Sequence, residues 1–146
     1  VDPSAVFLFV APSEVAGVAD RFGATPFDVE GVFWSHRGGD CTFDTMIKEF
    51  GLAGDALNQL AMIVRGADTA RPELAAEAPG LLAASLGLSR MFADDLAQLV
   101  DELLVRPFAD GLAQLDAGML LYDAFYRWCR DATDETHNWP SSKVRA

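Results

Sequence analysis

Nine residues, His36-Arg37-Gly38-Gly39-Asp40-Cys41-Thr42-Phe43-Asp44, bring an imidazole, a guanidinium, two carboxylates and a thiol around a glycine pair. Glycines permit a tight turn, and a helix starting near Thr42 would leave its first amides and the positive end of its dipole facing the turn. Such a turn, with Arg37 beside it, can hold an oxyanion. The same segment offers His36, Asp40, Cys41 and Asp44 as ligands for a divalent metal, because imidazole, thiolate and carboxylate all bind such ions. A purely structural reading stays open: Asp40 caps the helix, Cys41 is buried and His36 is a hydrogen-bonded turn residue.

Two further groups could contribute to such chemistry. Arg65 and Asp68 lie three residues apart, on one face if the segment is helical. They can pair with each other at the surface, or Arg65 can bind an anion while Asp68 serves a metal or orients His36. Arg127 and Arg130 flank Trp128, and Asp131, Asp134, Glu135 and His137 follow, with Asp134 and His137 in D-x-x-H spacing. Structural pairing of Arg127 with Asp123 or Asp131 competes with that use. Arg37, Arg65, Arg127 and Arg130 are therefore the oxyanion candidates, and His36, Asp40, Cys41, Asp44, Asp68 and His137 the metal candidates. No Ser-His-Asp order with an elbow, phosphate-binding glycine loop or zinc-protease helix appears, so no catalytic residue is assigned.

The charge balance limits the partners. With 22 acidic and 11 basic residues among 146, the formal net charge is −11. That field repels nucleic acid and also a free oxyanion, so direct nucleic-acid binding by this domain alone is not expected and any anion site must be a local cluster of cations. An apolar content of 51% supports one folded core. Cys41 and Cys129, without a CxxC pair, suit a reducing cytoplasm, and no apolar stretch reaches the roughly 18 residues of a membrane span.

The elements that must position these groups follow from periodicity. Ala5 to Val10 reads as a strand between Pro3 and Pro12; a helix carrying Val15, Val18, Ala19 and Phe22 follows and stops at Gly23; two extended pieces lie near 26–29 and 32–36. This predicts an α+β, mostly helical fold, with a small strand-helix-strand layer over residues 1–40 packed against a helical half over 41–140, and a mobile tail at 141–146. In the helical half, Phe43, Met46, Ile47 and Phe50 mark one helix and Leu57, Leu60, Ala61, Ile63 and Val64 the next. Another is expected from about Glu73 to Leu86, kinked at Pro79-Gly80, and a long helical stretch from about Arg90 to Thr133, divided by Pro107. Its seam is expected to be Leu112, Leu115, Met119, Tyr122, Tyr126 and Cys129. The stretch contains a repeat, Arg90-Met91-Phe92-Ala93-Asp94-Asp95-Leu96-Ala97-Gln98-Leu99 recurring from Arg106 to Leu115 with two differences.

The Trp34–Asp44 block, Ile63-Val64-Arg65-Gly66-Ala67-Asp68, the closing run Gly118–Pro140 and the opening Asp2-Pro3-Ser4-Ala5-Val6-Phe7-Leu8-Phe9-Val10 together resemble the C-terminal domain of the bacterial chromate-resistance protein B (ChrB-type) family. The resemblance implies a cytoplasmic, chromate-responsive sensor or regulatory domain that supports chromate efflux, with chromate as the small-oxyanion partner. It also implies an Arg-rich, Trp-containing segment ahead of Asp2-Pro3, and a single copy of the repeated segment in relatives. Two other readings remain: a metal-dependent enzyme using the His36 turn, with a divalent metal as cofactor, or a non-catalytic domain that forms a homodimer through its helical face.

Overall fold

The computed structural model describes residues 6–92, 98–100, 103–106 and 108–133. The helix α3 (Asp55–Asp68) lies at the centre, packed on α2 (Thr42–Glu49), α4 (Ala78–Met91) and α5 (Phe108–Thr133). Its apolar positions Leu60, Ile63 and Val64 recur at helical spacing and are buried. They meet Leu81 of α4 and Cys129 of α5, with Leu121, Tyr122 and Phe125 packed around them. Ile63 is 0% and Leu81 1% exposed, each contributing about 1.5–3 kcal/mol of apolar transfer. Gly66 permits close approach where α3 meets the chain leading into α4: a Cβ there would stand 2.8 Å from the Ala78 Cβ and 3.0 Å from the Arg71 carbonyl oxygen.

The N-terminal strand-helix-strand layer does not form. The strand β1 (Phe7–Phe9) and the helix α1 (Val15–Phe22) exist, the latter ended by Gly23 at φ 61. The two extended pieces expected after α1 reduce to one isolated bridge, Phe27 to Trp34. Instead β1 pairs antiparallel with β3 (Leu103–Arg106), which also pairs with β2 (Gln98–Val100), giving the order β1-β3-β2. Phe7 sits opposite Arg106 and Val105 opposite both Leu8 and Gln98. A short apolar strand cannot specify its own partner, and the partner here is about a hundred residues away in sequence.

The same hairpin corrects the expected helix from Arg90 to Thr133. The first repeat copy begins in α4 and ends in β2, while the second begins in β3 and continues into α5. Near-identical segments thus take different structures: Gln98 and Leu99 of the first copy pair with Val105 and Leu104 of β3, whereas the matching Gln114 and Leu115 of the second lie in α5. Pro79 does not kink a helix either: it lies in the first turn of α4, where a missing amide costs nothing, after a short 3-10 turn at Pro72–Leu74. On α5 the buried face is set by Leu121, Tyr122, Phe125 and Cys129, whereas Leu115, Met119 and Tyr126 of the expected seam are exposed. The expected mobile tail, and His137 and Asp134, lie outside the described residues.

Candidate functional site

The glycine pair makes a two-residue turn between α1 and α2. Its base is closed by reciprocal backbone bonds, Arg37 N to Asp40 O at 3.2 Å and Asp40 N to Arg37 O at 3.1 Å. Gly38 has φ +63, in the left-handed region that favours glycine. Among the described residues the amides of Gly38 and Gly39 make no hydrogen bond. Arg71, between α3 and α4, reaches the turn: its Nη2 donates to the Gly39 carbonyl at 2.6 Å and its Nε to Thr69 Oγ1 at 3.0 Å. Thr69 is fixed in turn by donating to the Arg65 carbonyl at 2.6 Å. Both acceptors of Arg71 are neutral, so its positive charge is not cancelled by a carboxylate among the described residues.

Beyond the turn, Cys41 is the N-cap of α2 and forms a capping box with Asp44. The Cys41 amide and thiol both donate to Asp44 Oδ2, at 2.9 and 3.1 Å. Arg65 from α3 donates to the same carboxylate from Nε (2.8 Å) and Nη2 (2.6 Å). Burial opposes ionisation of Asp44, but the Arg65 and Cys41 hydrogen bonds outweigh it and hold the carboxyl below its usual range. Burial pushes the Cys41 thiol up to about 12, with the Asp44 charge adding to the effect. Arg65 is held more firmly protonated by its hydrogen bonds to Asp44. Cys41 is thus a neutral donor to Asp44 and not a thiolate.

His36 is drawn to another pair of carboxylates. Its Nε2 lies 2.9 Å from Asp68 Oδ2, on the last turn of α3, and 3.4 Å from Asp28 Oδ1. Asp28 is left-handed (φ 58) and accepts a 2.5 Å hydrogen bond from Thr42 Oγ1. Burial raises the pKa of Asp68, opposed by His36 and reinforced by the charge of Asp28. Burial likewise raises that of Tyr122 on α5, which senses the Asp68 charge and is hydrogen-bonded to Ser85.

The metal candidates therefore separate. His36 and Asp68 meet, as the orienting role for Asp68 requires. Asp44 and Cys41 belong to the Arg65 cluster, and Asp40 pairs with Lys48, with Arg65 Nη2 at 3.7 Å. Among the described residues no group of three or more His, Cys, Asp and Glu side chains is placed to hold a metal ion. The arginine candidates do not converge either. Arg37 pairs with Glu49 at 2.8 Å and donates to the Phe33 carbonyl; Arg65 is committed to Asp44, not to Asp68. Arg127 lies 3.9 Å from Asp123, and Arg130 3.6 Å from Asp131, all on exposed or partly exposed side chains of α5. Three residues escaped the sequence reading: Arg71, Lys48 and Asp28. Arg71 precedes Pro72 just after α3, and that Arg-Pro step, which keeps Arg71 out of helical backbone (φ −117, ψ 69), was the available signal.

Among the described residues no helix is long and apolar enough to cross a membrane. No curated protein and no solved structure matches the chain. A family model described as ChrB, C-terminal domain, matches residues 1–129, which include the turn, the Arg65 cluster and Arg71. The chain belongs to this ChrB C-terminal domain family, a family associated with chromate resistance.

Proposed function

We propose that this domain is a chromate-responsive regulatory domain that reads the oxyanion at the Gly38–Gly39 turn. One observation carries the reading: among the described residues, Arg71 reaches the turn with no carboxylate partner, beside two glycine amides that likewise have none. A guanidinium fork and adjacent amides suit a tetrahedral dianion, which accepts several charge-assisted hydrogen bonds at once. A purely structural tie of Arg71 spends one donor on the Gly39 carbonyl and one on Thr69 Oγ1, which leaves three of its five for an anion.

Occupancy would be relayed through the tethers of the turn. Arg71 would shift Nη2 from the Gly39 carbonyl to the anion, altering a segment also held by the Asp40–Lys48 pair and by His36 on Asp68. Cys41 and Cys129 are buried, and burial raises both thiols, which favours a binding role over reduction of chromate by thiolate. Thermal unfolding with increasing chromate, and with sulfate as an isosteric control, tests the proposal. A ligand that binds the folded state stabilises it by about 2.7 kcal/mol at a hundredfold excess over Kd.

A further inference from the structure

A cleft between α2 and α3 carries chemistry of its own. It has a volume of about 600 Å³, within the range of small-molecule sites, and opens to solvent. Its walls are Ile47, Leu52, Ala61 and Met62, and its polar lining includes Lys48, Asn58 and Arg65. Leu52 is 52% and Met62 46% exposed, so the apolar surface at the cleft is only partly covered by the protein itself.

The charges select the ligand. Arg65 and Asp44, both lining the cleft, neutralise one another through their two-point contact. Lys48 has its carboxylate partner, Asp40, outside the lining, and its side chain is 66% exposed, so that pairing is solvated and readily exchanged. One exchangeable cation and an amide beside an apolar wall suit a single carboxylate attached to a hydrocarbon chain. A bare oxyanion would leave the apolar wall uncovered, and a cation would meet Lys48.

We infer that the α2–α3 cleft binds an aliphatic monocarboxylate, its carboxylate on Lys48 and Asn58 and its chain along Leu52 and Met62. This site adjoins the Gly38–Gly39 turn through the Lys48–Asp40 pair, but the inference does not depend on the chromate reading. Octanoate is the probe, titrated into the intact protein and followed by backbone amide NMR shifts, with octan-1-ol and octylamine as controls. Saturable shifts at Lys48, Asn58, Leu52 and Met62 are expected, and Lys48→Gln should weaken octanoate by about tenfold, the scale of one charge-assisted hydrogen bond, while loss of the solvated pair with Asp40 lowers the melting temperature by no more than a few degrees. Absence of saturable octanoate binding, equal binding of octan-1-ol, or unchanged affinity in Lys48→Gln would each overturn the inference.

Discussion

Arg65 grips Asp44 at two points, Nε to Oδ2 at 2.8 Å and Nη2 to Oδ1 at 2.6 Å, and the carboxylate side chain is only 4% exposed. The contact ties α3 to the start of α2 and commits Arg65 to a carboxylate of the protein itself. Asp44→Ala should therefore cost roughly 3–5 kcal/mol, since it leaves Arg65 without its partner in a partly buried position. Urea unfolding measures this; a loss below about 1 kcal/mol would show that the pair behaves as a surface ion pair.

Acid should weaken the protein through the same carboxylate. The folded pKa of Asp44 lies below its unfolded value, so its contribution is fully present above the unfolded pKa of about 3.9 and is lost as pH falls through the folded value. Asp68, whose pKa is raised, has the opposite sign: its ionised form costs stability at neutral pH, and that cost is relieved as pH falls through the raised value. Comparing pH–stability curves, Asp44→Asn should flatten the acid limb and Asp68→Asn should remove the opposing gain. An Asp44→Asn curve parallel to wild type below pH 4 would contradict the assignment.

Both thiols should be inert in the folded state. Cys41 and Cys129 are each 0% exposed, and burial raises the pKa of both. Iodoacetamide at pH 8 should label neither until denaturant is added, after which intact mass should show two adducts for the two cysteines of the chain. Rapid native labelling of Cys41 would refute its capping role.

Gly66→Ala should destabilise by about 1–3 kcal/mol, the range for overpacking, because the new methyl would stand 2.8 Å from Ala78 and 3.0 Å from the Arg71 carbonyl. The displacement also bears on the proposed anion site, so the variant should lose chromate stabilisation as well as basal stability. A fully stable Gly66→Ala protein, measured by the same unfolding curve, would show that the α3–α4 junction has room to relax.

What could be read from sequence was local. The spacing of Leu60, Ile63 and Val64 marked α3 as a core helix, and Gly23 marked the end of α1. The pairing of β1 with Leu103–Arg106 was not legible, because it depends on a contact between distant segments, and the repeat drew the eye to helical periodicity instead. At the site, contact of His36 with Asp68 was one of several readings that the sequence left open. Arg65 was expected to face an anion or Asp68, but Asp44 on α2 holds it, a choice made by helix packing and not by spacing. Arg71 carried no motif beyond its place before Pro72, and its reach back to Gly39 across 32 residues exists only in the folded chain.

The most direct measurement is the chromate-induced change in melting temperature for wild type and Arg71→Gln. The substitution removes two hydrogen bonds to neutral acceptors, each contributing about 1 kcal/mol, so the unliganded variant should melt a few degrees lower but remain folded. Chromate should raise the melting temperature of wild type in a saturable manner, and that shift should be abolished in Arg71→Gln while persisting in Arg127→Gln. An equal chromate shift in Arg71→Gln and wild type, or no shift in wild type, would contradict the assignment of the Gly38–Gly39 turn as the oxyanion site.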